Sequence, residues 1–202
     1  MFRPVENKLV VKVSSKYIHN ITNITRLSAL QEGASVDMAD FVQIVGEIVA
    51  LPLQIKDSKE YEGYSLDNIM VGDTAIFSYQ VISETNYIED EDKLIYKNMV
   101  VYQGKEYFLV DITRLFGIIR DGQIQMVNNY SMLAEYRQNI LVLQNQSKKA
   151  KGTVQSEVLY TSNLDMNKGD LACYSPFYPQ HYQINNKKFI ILKHNHIFGT
   201  IK

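Results

Sequence analysis

The residues with the chemistry to act on another molecule are few in this chain, and they fall in three places. His194 and His196 stand two apart, a spacing that puts both imidazoles on one face of a strand, as in a metal pair. A zinc site takes three or four protein ligands, and no third ligand accompanies them, so the pair reads as the polar end of a strand. Cys173 is the only cysteine. One thiol excludes a multi-thiolate zinc site and an intramolecular disulfide, and no histidine and acid stand ready to activate it. Glu89, Asp90, Glu91 and Asp92 are consecutive. Four carboxylates in a row lack the alternating spacing of a calcium loop and read as part of a solvated acidic insert over residues 84–92. The chain has no Gly-x-Gly-x-x-Gly, no phosphate loop and no His-Glu-x-x-His, so the expectation is a non-enzyme without metal or cofactor.

Binding another protein needs only apolar side chains that the fold leaves uncovered, and two stretches offer them. Residues 14–40 are long and polar, punctuated by Ile21, Ile24, Leu27 and Leu30. Such a segment buries too little apolar surface to order itself, and a loop of this length inside a compact domain is either functional or disordered. The second stretch is the bare apolar run Ile140, Leu141, Val142, Leu143, which reads either as a partner contact or as a buried strand.

Strands must position these segments, because the apolar runs are short, β-branched or aromatic, and bounded by turn residues. Residues 5–13, 41–51, 71–82, 98–104 and 105–119 form a first series. The spacing places a polar, hairpin-like excursion at residues 53–70. Two sets of residues recur in order. Gly46-Glu47-Ile48-Val49, Val71-Gly72-Asp73, Tyr107-Phe108-Leu109-Val110 and Leu115-Phe116-Gly117-Ile118 are followed by Gly152-Thr153-Val154, Lys168-Gly169-Asp170, Phe189-Ile190-Ile191-Leu192 and Ile197-Phe198-Gly199-Thr200. Self-similarity of this kind is read before anything else. The offsets between matched residues are unequal, which argues against a solenoid and for two small β domains with different loops. The turn signal Arg120-Asp121-Gly122 places their boundary, giving domains at 1–121 and 122–202.

Composition sets the outer limits. A chain of 202 residues with 46% hydrophobic and 21% charged residues has the material for one or two ordinary cores. A net charge of -1 gives no general reason to expect nucleic acid or an anionic membrane as partner. The aromatic turn at Tyr174, Phe177, Tyr178 and Tyr182 would suit base stacking, but it lacks a basic groove beside it. No run reaches the roughly 18 apolar residues of a membrane span. With a lone cysteine and no signal pattern at the start, the expected location is the cytoplasm.

Arg3-Pro4-Val5-Glu6-Asn7-Lys8-Leu9-Val10-Val11-Lys12 resembles the opening strand of GroES-like co-chaperonins. Gly46-Glu47-Ile48, Val71-Gly72-Asp73 and the apolar strands of residues 107–119 resemble that family's later parts, and the second series resembles them again. The resemblance implies an all-β fold of two tandem irregular β-barrels, assembled as a homo-oligomeric ring. It implies a mobile loop that presents an aliphatic tripeptide to a chaperonin and so assists protein folding. On this chain the loop falls at residues 14–40, with Ile24-Thr25-Arg26-Leu27 nearest the tripeptide, and Leu141-Val142-Leu143 resembles it in the second series. Ring contacts are then expected at the strand of residues 5–13 and the closing strand of residues 116–119, because open strand edges seek partners. The alternative is a ring-forming structural or assembly protein of a bacteriophage virion, with neighbouring virion subunits as partners.

Overall fold

The computed structural model describes residues 4, 6–14, 45–88, 93–135, 154–175, 180–184 and 187–202. It is an all-β protein. The strands are β1 (Lys8–Val13), β2 (Val45–Ala50), β3 (Thr74–Phe77), β4 (Thr85–Ile88), β5 (Lys93–Tyr96), β6 (Met99–Tyr102), β7 (Lys105–Asp111), β8 (Leu115–Arg120) and β9 (Gln123–Met126). They continue with β10 (Tyr130–Ala134), β11 (Val154–Thr161), β12 (Leu171–Tyr174), β13 (Gln180–Ile184), β14 (Lys187–Lys193) and β15 (Ile197–Ile201). One helical turn, α1 (Gln80–Ser83), follows β3.

Two antiparallel sheets carry the fold, ordered β6-β7-β1-β2-β3-β8-β9 and β13-β14-β10-β11-β12-β15. Apart from β9, the second order repeats the first strand for strand. Among the described residues no pairing joins the first strand of either order to its last. β4 and β5 form a separate hairpin, so residues 85–88 of the expected acidic loop are a strand. Its tip, Glu89 to Asp92, lies outside the described residues.

The repetition extends to single hydrogen bonds. Gly72 and Gly169 both hold φ +97, a conformation that glycine adopts without steric cost. The Gly72 and Gly169 amides donate to the carbonyls of Ile48 (2.8 Å) and Val158 (2.9 Å), which in turn donate their own amides to Asp73 and Asp170 O, both at 2.8 Å. The Asp73 carboxylate accepts from Met70 N at 2.7 Å, and that of Asp170 from Asn167 N at 2.9 Å. Each Gly-Asp turn therefore ties the start of the third strand of its set to the middle of the second. In the first sheet Arg120 adds two bonds of 2.7 Å to Asp73, and its guanidinium holds that carboxyl below its usual range.

These bonds equate Ile48 with Val158, a shift of 110 positions, so the residue matching Gly46 is Ser156 and not Gly152. The structural match lies four residues beyond Gly152, so the two glycines do not correspond. The reason is local. A Cβ on Gly46 would lie 2.5 Å from Val11 Cγ1 and 2.8 Å from Lys12 O, because β1 pairs as far as Val13 with Gly46. The matching pairing of β10 ends at Leu133 with Val158, which leaves room for Ser156 to bond Tyr174 Oη at 2.8 Å.

Two other expectations change. Residues 53–70 form turns and a short 3₁₀ segment at Lys59–Tyr61, with no strand. This excursion is fixed by single bonds from its side, such as Lys56 N to Asn7 Oδ1 at 2.5 Å. Asp121 and Gly122, with φ 50 and 75, form the two-residue turn of the β8–β9 hairpin, as paired positive φ values require. The change from one sheet to the other comes after β9, at residues 127–129.

The core follows from strand alternation. Phe108 and Val110 point inward along β7 and, with Ile112 in the turn that follows it, join Leu9, Val11, Ile48 and Phe77 in one buried cluster. The same cluster continues into Met132, Tyr182, Ile184 and Ile191 of the second sheet, and a smaller one gathers Leu133, Val158, Tyr174 and Ile190. Replacing Gly46 by alanine is expected to lower stability by about 1–3 kcal/mol, the usual cost of overpacking a fitted site. A fall in the urea midpoint at unchanged slope is the reading that checks it.

Candidate partner-binding surface

The seam between the sheets is built by the residues after β9. Val127 donates its amide to Phe116 O at 2.9 Å, and Asn128 Nδ2 reaches Ile112 O (3.1 Å) and Leu115 O (3.2 Å). Asn128 and Asn129 hold φ 56 and 62, as Glu6 and Asn7 hold 52 and 49. Asparagine tolerates this left-handed region better than most residues. Asn7 O and Asn129 O accept from the matching amides of Ile112 (2.8 Å) and His194 (2.9 Å), which equates the two positions at a shift of 122.

The aromatic centre of the seam is Phe116. Its ring meets Tyr130 edge-on at 4.7 Å and Tyr182 at 5.3 Å between centroids, the tilted geometry that ring quadrupoles favour. Burial pushes the Tyr130 hydroxyl up to about 12 and raises that of Tyr182 further, so both phenols are neutral at physiological pH. Lys193 Nζ crosses the seam to Tyr64 Oη at 2.7 Å and lies over the Tyr64 ring at 5.2 Å.

The expected strand edges are not edges. β1 lies between β7 and β2, and β8 lies between β3 and β9, so neither has a free ladder to offer a neighbour. Sequence cannot tell an inner strand from an outer one when the pairing is non-local. The outermost strands are β6 and β9 in the first sheet and β13 and β15 in the second. Of these, β15 carries Phe198, 65% exposed, and Ile201.

Ile21, Ile24, Leu27 and Leu30, with most of the 14–40 segment, lie outside the described residues, as do Ile140, Leu141, Val142 and Leu143. Their places in the chain are nonetheless matched. The first four fall between β1 and β2, and the second four between β10 and β11, the same connection in each sheet.

His194 and His196 are not on a strand face but in a 3₁₀ turn at His194–His196 that joins β14 to β15, as Ile112–Arg114 joins β7 to β8. His194 Nε2 lies 2.9 Å from Ser131 Oγ, which is 2.7 Å from Thr161 Oγ1. Ser131 is fully buried, and its contacts with Thr161 and His194 brace β10 against β11 and against the turn after β14. Among the described residues no group of three His, Cys, Asp or Glu side chains is placed to hold a metal ion. Cys173 is half-buried on β12, with Gln155 Nε2 at 3.6 Å from Sγ. Among the described residues no helix is long and apolar enough to cross a membrane.

No protein-family model matches this chain, and no curated protein matches it.

Burial lowers the His194 pKa from its ordinary 6.5. The folded state thus binds this proton less readily than the unfolded chain. Stability from this site is present above about pH 6.5 and is lost as the pH falls through the folded pKa. His194→Asn is expected to flatten that part of the stability curve, measured by urea denaturation between about pH 8 and pH 5.

Proposed function

We propose that this protein is a co-chaperonin-like subunit that assembles into a ring and binds a chaperonin through segments at residues 14–40 and 136–153, assisting protein folding. The observation that carries the reading is the matched position of those segments, each lying between the first and second strands of a repeated strand order. A partner segment emerging from equivalent points of two similar sheets presents the same kind of contact twice. Repetition suits a partner that is itself a ring with repeated binding sites. The aliphatic residues Ile21, Ile24, Leu27 and Leu30, and Ile140 to Leu143, are the contacts.

A structural ring component of a bacteriophage virion is the second reading, favoured by the exposed closing strand β15, which suits a permanent neighbour.

Gel filtration of the protein mixed with a chaperonin ring and nucleotide separates the two. A co-eluting complex is expected, and its absence would favour the virion reading. Ile24→Ser with Leu27→Ser is expected to weaken binding roughly a hundredfold or more, since each buried aliphatic contributes about 1.5–3 kcal/mol. Unchanged binding by that variant would move the contact to Leu141 and Leu143, where the same substitutions provide the second arm.

A further inference from the structure

The two sheets differ most in the connection between their second and third strands. From β2 to β3 it runs over residues 51–73, but from β11 to β12 only over residues 162–170. The long connection folds back over the start of its sheet. Lys56 N donates to Asn7 Oδ1, and Tyr61 Oη donates to Asp111 Oδ2 at 3.2 Å. Asn7 is 2% exposed beneath this cover. In the second sheet the matching residues are Asn129 and Lys193, because β10 pairs Tyr130 with Lys193 as β1 pairs Lys8 with Asp111. Here Asn129 is exposed. A cleft of about 640 Å³ opens beside it, lined by Asn129 and by residues 162–165 and 193–195. That volume lies within the range of pockets that hold a ligand.

We propose that this cleft binds an extended peptide segment of another protein that presents a carboxylate, in the place that residues 55–64 take over the first sheet. Three features of the lining specify such a ligand. Asn129 stands where Asn7 accepts a main-chain amide, so it offers a peptide the same kind of contact. Lys193 stands where Asp111 accepts a hydroxyl, so the matched position is reversed from acceptor to donor. An ammonium has three donors, and Tyr64 Oη takes one of them at 2.7 Å. Among the described residues Lys193 forms no salt bridge, and a carboxylate would take its remaining donors in charge-assisted hydrogen bonds. Leu164, 99% exposed, adds an apolar surface for a side chain beside the acid. His194 contributes no such donor, since its Nε2 is turned to Ser131. Asp165, the one carboxylate of the lining, is exposed and repels an acid placed on its side, which directs the ligand's carboxylate to Lys193. The site depends neither on ring assembly nor on a chaperonin.

Saturation-transfer NMR on the full chain tests this with three peptides: acetyl-Leu-Asp-Gly-amide, acetyl-Leu-Asn-Gly-amide, and acetyl-Leu-Asn-Gly with a free terminal carboxylate. The aspartyl peptide is expected to saturate with a Kd on the order of 1 mM, and the asparaginyl amide to bind at least roughly tenfold more weakly. The third peptide identifies the source of the acid, since tight binding by it and not by the aspartyl peptide would assign the carboxylate to a chain terminus. Lys193→Met is expected to bring the acidic peptides down to the level of the amide. Because Lys193 also holds Tyr64, the second variant is Leu164→Ser, whose side chain supports no packing. It is expected to weaken all three peptides at least roughly threefold while leaving the melting temperature unchanged. No saturable signal from either acidic peptide up to about 10 mM overturns the proposal. So does equal binding of acidic and amide peptides, or wild-type binding by both variants. Saturation by the disaccharide trehalose and by none of the peptides would overturn it in favour of a carbohydrate site.

Discussion

An antiparallel sheet ends in a strand whose outer peptide groups and apolar face have no partner within the ladder. How the chain covers β8 governs much of the rest. The cover is drawn from the residues that lead into the second sheet: β9 lies along the edge, Asn128 bonds the carbonyls of Ile112 and Leu115, and Tyr130 and Tyr182 close over Phe116. The second sheet is consequently joined to the first by a shared core, and not by a linker. Met132, Tyr182, Ile184 and Ile191 belong to the same buried cluster as Leu9 and Phe108. A change at Phe116 acts on both sheets at once, which two separately folded units would not allow.

Within each sheet the Gly-Asp turn is the second fixed point. Its carboxylate caps a backbone amide three residues earlier, and its main chain exchanges bonds with the middle of the preceding strand. The sheets differ in what is added. In the first, Arg120 reaches from β8 to Asp73 and to Asn68 O at 3.0 Å, tying the excursion of residues 53–70 to the covered edge. The position matching Arg120 in the second sheet is Lys202, which is exposed. The first closing strand is therefore held both by its cover and by its own turn, and among the described residues the second has neither of these supports.

What was legible in the sequence was local chemistry. Gly72-Asp73 and Gly169-Asp170 were readable because a positive φ and an Asp that bonds nearby backbone are written in two adjacent residues. The strand runs and their recurrence followed from alternation and β-branching. Other features depend on pairing partners far away in sequence. Gly152 looked equivalent to Gly46, yet Gly46 is required by the reach of β1 to Val13, and the shorter pairing of β10 lets Ser156 stand there. The inner positions of β1 and β8 are properties of the whole strand order. The His194–His196 pair has strand spacing, but the preceding strand ends at Lys193 and the chain turns. Asp121-Gly122 was read correctly as a turn, though a hairpin turn and a domain boundary carry the same residues.

A strand order that repeats has consequences for where its connections emerge. The connections after β1 and after β10 leave their sheets at equivalent points. Weak contacts displayed from two equivalent points of one molecule add through effective concentration where the opposing sites have a compatible spacing. The demand for precision falls on the seam, where Gly117 admits the close approach of β9 and the adjacent Phe116 packs against Tyr130 and Tyr182.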